Sequence, residues 1–369
     1  MRSRRQRPAA AGRGRGALPA VTVALVGFAV LAGALPADAG GGQDWRTLLD
    51  RAATSGRDTP HQGEILWIIQ AEGETHVVKV DVDQSGAGLT VRTPGQSTVR
   101  LSRDGGGLAD YEEGWFMPLP AARRVPTVPS EAMAEKYEVE VVGSARLLDR
   151  PATRVEVSLR DQGTLRERLW LDDATGLLLR RESYDGDDLL RMAVYVSLDL
   201  SPPPERAEPP PEIVRLEQRT QDVEAVQPVH FGALRQAGWA VPEVLGDGYR
   251  AAGAYALSGR GGSPLQLVYA DGLYTVSLFQ QRGRADLSTL PPGAEPAEGL
   301  GGRAFEWPGA VPSRLVWEAG GTTYSLVGDA PPEEFRAMAG ALPQAERPGV
   351  LKRVGKGLSR LWSWVSPFS

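Results

Sequence analysis

Aliphatic and polar residues alternate most regularly between Tyr137 and Leu200, and the rest of the chain reads outward from that stretch. Val155, Val157 and Leu159 alternate with Arg154, Glu156, Ser158 and Arg160. At the two-residue period of an extended chain, every aliphatic residue then lies on one side. Met192, Val194, Val196, Leu198 and Leu200 alternate in the same way with Arg191, Ala193, Tyr195, Ser197 and Asp199. Between these segments, Leu165 to Leu171 and Leu177 to Tyr184 form two more extended runs. The turn formers Asp172-Asp173-Ala174-Thr175-Gly176 separate them, and Asp185-Gly186-Asp187-Asp188 closes the next hairpin. The pattern predicts an antiparallel meander whose apolar face must be covered by helices, a second sheet or a ligand.

Upstream, Asp44 is placed to cap a helix in which Trp45, Leu48, Leu49 and Ala52 share one face. Extended runs follow at Gly63 to Gln70, His76 to Asp83, Leu89 to Thr93 and Thr98 to Arg103, giving about eight to ten strands in all, enough for a strongly curved sheet or half-barrel wrapped on helices. Trp115-Phe116-Met117-Pro118-Leu119-Pro120 argues against a regular central strand because proline cannot donate to a ladder. Two readings stand for it: a flap at the mouth of a pocket, or a loop that plugs its own side chains into the core. Ser130 is placed to cap a short helix that runs to Tyr137.

Downstream, the proline-rich run Ser201 to Pro211 has few groups to bury and reads as a stiff linker. Beyond it, a short helix within Pro228 to Trp239, a strand at Tyr249 to Leu257, and strands at Arg303 to Trp307, Leu315 to Glu318 and Thr322 to Val327 predict a small α+β domain. Leu265, Leu267 and Tyr269 alternate up to Asp271-Gly272, and Tyr274, Val276 and Leu278 alternate after it, the signature of a two-residue hairpin with both central residues at positive φ. A helix is expected from about Pro331 to Ala341, burying Phe335, Met338 and Leu342. The last segment, Val350 to Ser369, places Leu351, Val354, Leu358, Leu361, Trp362 and Val365 on one helical face, with Lys352, Arg353, Lys356 and Arg360 opposite. That is the composition of a helix lying on a membrane surface, and equally of one docked in the protein's own groove.

The N-terminus changes the picture. Six arginines precede an uncharged apolar run from Ala17 to Leu35, and Ala37-Asp38-Ala39 has the form of a cleavage site. This is read as a signal peptide over residues 1–39, with an uncleaved membrane anchor as the alternative. The formal net charge of −5 becomes −10 once those six arginines and Asp38 are removed. A protein this acidic is not expected to hold nucleic acid through its general field. The absence of cysteine excludes disulfides, thiolate metal sites and thiol nucleophiles.

Catalytic signatures are not found. The three histidines, His61, His76 and His230, have no second histidine at metal-ligand spacing. No phosphate loop or nucleophile elbow occurs, and the acidic pairs Glu112-Glu113 and Asp172-Asp173 fall in turns. The chain is expected not to be an enzyme and to need neither cofactor nor metal.

A family resemblance runs through both halves. YEVEVVGSARLLDRPATRVEVSLRD and RLWLDDATGLLLRRESYD resemble the N-terminal domain of the MucB/RseB family, and GWAVPEVLGDGY, QLVYADGLYTVSLFQQ and TYSLVGDAPPEEFRAMA resemble its C-terminal domain. The resemblance implies an extracytoplasmic regulator of a membrane anti-sigma factor, located in the periplasm or envelope space, with a LolA/LolB-like large domain. The fold class is therefore α+β, a large curved antiparallel sheet plus a smaller α+β domain. The expected division is a signal at 1–39, a large domain at 40–200, a linker at 201–212, a small domain at 213–345 and a basic amphipathic helix at 346–369. By the same resemblance the partner is the extracytoplasmic segment of a membrane-bound anti-sigma factor. A lipid or lipoprotein is a further candidate ligand, and a LolA-type carrier is the alternative function. The residues to test as a lipid cavity are Trp67, Ile69, Val78, Val80, Val155, Val157, Val194 and Val196. Those for the partner interface are Tyr269, Asp271, Tyr274 and Phe279, in the neighbourhood of the YADGLYTVSLF hairpin. Those for a membrane surface are Lys352, Arg353, Lys356, Arg360, Trp362 and Trp364.

Overall fold

A computed structural model describes residues 44–344, apart from 72, 86–87, 94–96, 103–106, 112–115, 120–129, 202–222, 227–229, 258–263, 285–289, 291–292, 301–302 and 309–311. The expected signal at 1–39, nearly all of the linker, and the C-terminal segment with all six membrane-surface candidates lie outside the described residues.

Helix α1 spans Trp45–Asp58, and the Asp44 carboxylate caps it by accepting from the Arg46 amide. Six strands follow, β1 His61–Ala71, β2 Glu74–Ser85, β3 Gly88–Thr93, β4 Ser97–Ser102, β5 Gly107–Tyr111 and β6 Phe116–Leu119. A short helix, α2 Ser130–Lys136, leads into five more, β7 Tyr137–Leu147, β8 Arg150–Leu159, β9 Leu165–Asp172, β10 Leu178–Asp185 and β11 Asp188–Asp199. All eleven form one open sheet in the order β6-β5-β4-β3-β2-β1-β11-β10-β9-β8-β7. Every pairing in it is antiparallel. It is two meanders joined at one ladder, β1 against β11. Gly63 sits on that ladder because a Cβ there would stand 2.3 Å from the Ser197 carbonyl oxygen.

Three local expectations are corrected. Phe116 to Leu119, expected to be a loop, is a strand, and it tolerates Pro118 because it is the outermost strand of the sheet. In β11 the residues that bury fully are Ala193 and Tyr195, whereas Val196 is exposed. A bulge opposite Glu64/Ile65 leaves Val196 as the extra residue and reverses the alternation across it. At Asp271-Gly272 only the glycine has positive φ, and the connection is four residues long, Asp271 to Tyr274. There the Asp271 carboxylate accepts from the amides of Leu273 at 3.0 Å and Tyr274 at 2.8 Å, a side-chain-built turn in place of the two-residue one. A residue pair with both φ values positive does occur, at Leu148 and Asp149 between β7 and β8.

The second sheet comprises β12 Val223–Val226, β13 Val244–Leu245, β14 Tyr249–Leu257, β15 Leu265–Ala270, β16 Thr275–Arg282, β17 Glu295–Pro296, β18 Ala304–Glu306, β19 Ser313–Ala319 and β20 Thr322–Gly328. Its order is β12-β14-β15-β16-β20-β19-β18-β17, with β13 on β14. The glycine pair Gly320-Gly321, both at positive φ, turns β19 into β20. Helices α3 Phe231–Gln236 and α4 Pro332–Ala341 complete this unit, and α4 buries Phe335 and Met338, followed by buried Leu342. The architecture is α+β, dominated by two antiparallel sheets.

Candidate functional site

Side chains opposite one another in an antiparallel ladder share a face, so the register fixes which residues the large sheet presents together. One row runs Val78, Trp67, Ala193, Arg181, Leu169, Val155. The next runs His76, Ile69, Arg191, Ser183, Glu167, Val157, Val139. Val80, Ile65 and Tyr195 begin a third. Trp67, Ile69, Val78, Val80, Val155 and Val157 therefore lie on one face. Val194 pairs with Leu66 and Arg180, on the opposite side, and Val196 is the exposed bulge residue.

This face is occupied unevenly. Helix α1 packs Leu48, Leu49, Ala52 and Ala53 into one core with Val155, Val157, Leu169 and Leu171. It is tied down where Arg51 donates to the carbonyl oxygens of Asp173 at 2.9 Å and of Ala174, and Ser55 donates to that of Thr175. Toward β1 to β3 a separate cluster forms from Ile65, Val80, Val82, Val91, Ala193 and Tyr195, bordered by half-buried Trp67, Val78, Leu89 and Leu198. At its end, buried His61 bridges two groups, with Nδ1 2.8 Å from the Thr59 carbonyl and Nε2 2.9 Å from the Tyr195 hydroxyl. A carbonyl can only accept, so Nδ1 carries the proton and neutral Nε2 accepts from Tyr195. Burial lowers the imidazole pKa, against the opposing pull of the Thr59 hydrogen bond and of Asp83.

The middle of the face is charged, which the alternation pattern alone does not announce. Arg181 makes a two-pronged pair with fully buried Glu167, Nε to Oε2 at 2.9 Å and Nη2 to Oε1 at 3.0 Å, and Ser183 donates to the same carboxylate at 2.8 Å. One clue was readable: Glu167 lies in phase with the inward Leu169 and Leu171.

The turn Asp271 to Tyr274 of the second unit is seated on this charged patch. Three of the four partner-interface candidates, Tyr269, Asp271 and Tyr274, are buried, and Phe279 is half-buried on β16. Tyr269 donates to the Pro242 carbonyl at 3.0 Å within its own unit. Leu273 and Tyr274 join the core that holds Leu169 and Val155, and the Arg181 guanidinium lies 5.8 Å from the Tyr274 ring centre. Asp271 Oδ2 receives the Lys136 ammonium at 2.8 Å and the Tyr137 hydroxyl at 2.6 Å. Lys136 also reaches Glu334 at 2.7 Å, and Tyr249 donates to that same carboxylate oxygen at 2.9 Å. Arg166 pairs with Glu333 at 3.0 Å and faces Glu334 at 3.8 Å, and Arg191 donates to the Asp329 carbonyl at 2.7 Å. Burial depresses the Lys136 ammonium pKa, but Asp271 and Glu334 outweigh it, leaving the group above its usual value. Burial raises the Asp329 carboxyl despite Arg181, 3.6 Å away.

A cleft of about 460 Å³ opens on the other face, where Glu64, Asp81, Asp83 and Asp199 stand with Gln62, Thr90 and Arg92. Val82 and Leu198 line it as well, so its lining is mixed and it borders the apolar cluster of β1 to β3. Among the described residues no group of three or more metal-ligating side chains converges, and no helix is long and apolar enough to cross a membrane.

Comparison with known proteins gives one family match: residues 84–213 match the model of the MucB/RseB N-terminal domain. A solved structure of MucB is similar over 81% of this chain and 97% of its own, at 18% identity and a TM-score of 0.42. The MucA/MucB complex of Pseudomonas aeruginosa is similar over 79% and 96%, at 18% identity and 0.38. A LolA superfamily protein of Nitrosomonas europaea is similar over 46% and 96%, at 10% identity and 0.18. No curated protein matches.

Proposed function

We propose, on the premise that residues 84–213 carry a MucB/RseB N-terminal domain, that this protein is an extracytoplasmic regulator that binds the outer segment of a membrane anti-sigma factor. The family match is the observation that carries the reading. It falls on the part of the chain that builds most of the large sheet, β3 to β11. In this reading residues 1–39 direct export and 40–200 form the ligand-facing domain. Residues 201–212 are the hinge, 213–345 form the partner-facing domain, and the basic segment 346–369 meets the membrane surface.

The apolar rows through Trp67, Val78, Ile65 and Val80 support a lipid-like ligand, which would act by linkage. Ligand and partner prefer different arrangements of the two units, so occupancy of one changes affinity for the other. The test is affinity capture on the immobilised chain from detergent-solubilised membranes, with mass spectrometry of bound proteins and lipids. A single-pass membrane protein with a cytoplasmic sigma-binding domain is the expected catch. Acyl lipid alone, transferred on to acceptor membranes, would establish a carrier and overturn the regulatory reading.

A further inference from the structure

The buried charges paired across the seam between the two sheets are sorted by sign, whereas one exposed pair, Arg250 with Glu135 at 2.9 Å, runs the other way. The large-sheet side contributes Lys136, Arg166, Arg181 and Arg191, and the other side contributes Asp271, Asp329, Glu333 and Glu334. The central members are withdrawn from water, with side-chain exposures of 11% for Lys136, 1% for Asp271, 11% for Glu334 and 8% for Arg166. A permanently fused pair of domains would be expected to meet through apolar surface. Here one apolar core runs through both units, from Met133, Tyr137 and Leu169 to Tyr249, Leu273 and Tyr274, and matched ions ring the seated turn. Matched buried ions about break even against apolar contacts, whereas removing one partner strands the other in a medium of low dielectric constant. Such a ring favours one arrangement strongly while itself adding little net stability to it.

We infer that these ion pairs form a charge-matched latch that seats the Asp271–Tyr274 turn on the inward face of the large sheet, so that any ligand bound there must displace the turn. This deepens the reading above and rests on it for the identity of what opens the latch. The seating is close: a Cβ on Gly272 would lie 2.5 Å from the Met133 Cβ. The turn also covers the Arg181–Glu167 pair, which shares its rows with Trp67 and Ile69. A ligand entering along those rows meets Tyr274, and its binding is thereby coupled to release of the small unit.

The test is amide hydrogen exchange in the full chain, without partner or lipid, comparing residues 271–276 with residues 150–159. Lys136→Met leaves Asp271 and Glu334 without their shared cation. It is expected to speed exchange at 271–276 on the order of a hundredfold while leaving 150–159 unchanged. Adding Asp271→Asn and Glu334→Gln to Lys136→Met removes the stranded charges, and protection is expected to return. Unchanged exchange in the single variant, or a triple variant as open as the single, overturns the latch. Should Lys136→Met loosen both regions alike, Glu334→Gln, on the edge of α4, decides. Acceleration confined to 271–276 upholds the latch, and no change overturns it. Since no partner is present, failure here leaves the capture experiment free to succeed, and the reverse holds equally.

Discussion

The Tyr137 hydroxyl donates a 2.6 Å hydrogen bond to Asp271 Oδ2, joining the first residue of β7 to the turn after β15 across 134 positions of sequence. The other oxygen of that carboxylate holds the turn itself, through the amides of Leu273 and Tyr274. Asp271 is thus both the turn's internal brace and its anchor on the large sheet. Tyr137→Phe is expected to cost about 1 kcal/mol, the value of one hydrogen bond whose acceptor keeps other donors. Asp271→Ala, which also strands Lys136 beside Glu334 alone and frees two amides, is expected to cost about 3–5 kcal/mol. Urea denaturation of the two variants measures the difference, and equal costs would refute the dual role.

Two glycines at positive φ separate backbone strain from contact. Gly186, at φ 62°, has nothing within 4 Å of an added Cβ, whereas Gly272, at φ 97°, would drive one into Met133. Gly186→Ala should cost about 1 kcal/mol, the conformational penalty alone. Gly272→Ala should cost more, and Met133→Ala in that background should recover part of the excess. Thermal melts of the native protein, Gly186→Ala, Gly272→Ala, Met133→Ala and the double variant decide it, and an additive double variant would rule out the contact.

Burial holds the His61 pKa below its ordinary value of about 6.5, which makes the folded state sensitive to acid. The sign follows from linkage: the unfolded chain takes up a proton near 6.5 and the folded chain only lower, so the unfolded state binds more protons in between. Stability is therefore full above about 6.5 and declines as pH falls through the folded value. Denaturation midpoints between pH 7.5 and 5 should fall for the native protein and flatten for His61→Gln. A parallel decline in both would place the effect elsewhere.

Leu148 and Asp149 occupy φ values of 51° and 59°, a region that side chains with a Cβ enter only at a cost. Replacing the pair by Asn-Gly supplies the residues this turn favours and should raise stability by roughly 1 kcal/mol, read as a higher denaturation midpoint with an unchanged slope. No gain would mean that Leu148 makes a compensating contact.

How far the fold is legible in the sequence depends on the range of each interaction. Helix α1, the hairpin at Gly320-Gly321 and helix α4 are set by neighbours along the chain, and each was readable from caps, turn residues and periodicity. The phase of β11 departs from the simple alternation because a single bulge residue, Val196, shifts it without any local mark in the sequence. Asp-Gly at 271–272 pointed to a tight turn, but Asp271 spends its carboxylate on two amides, which stretches the loop to four residues. The seam was not legible at all. Lys136 meets residues 135 and 198 positions away, and nothing in a lysine at a helix end foretells two buried carboxylates.

The chain reaches the centre of its large sheet twice, at the beginning with β1 and at the end with β11, and these strands bond to each other at separations from 122 residues (Ile69 with Arg191) to 137 (Gln62 with Asp199). Local hairpins close early, but this ladder must wait for the last strand to be made. Until then the first meander carries an open inner border, the length of β1, with its amides and carbonyls unsatisfied. By loop-closure entropy the meeting of the two half-sheets is expected to be the slowest pairing in the sheet, and the interval before it is when a newly made chain is most open to mispairing with its neighbours.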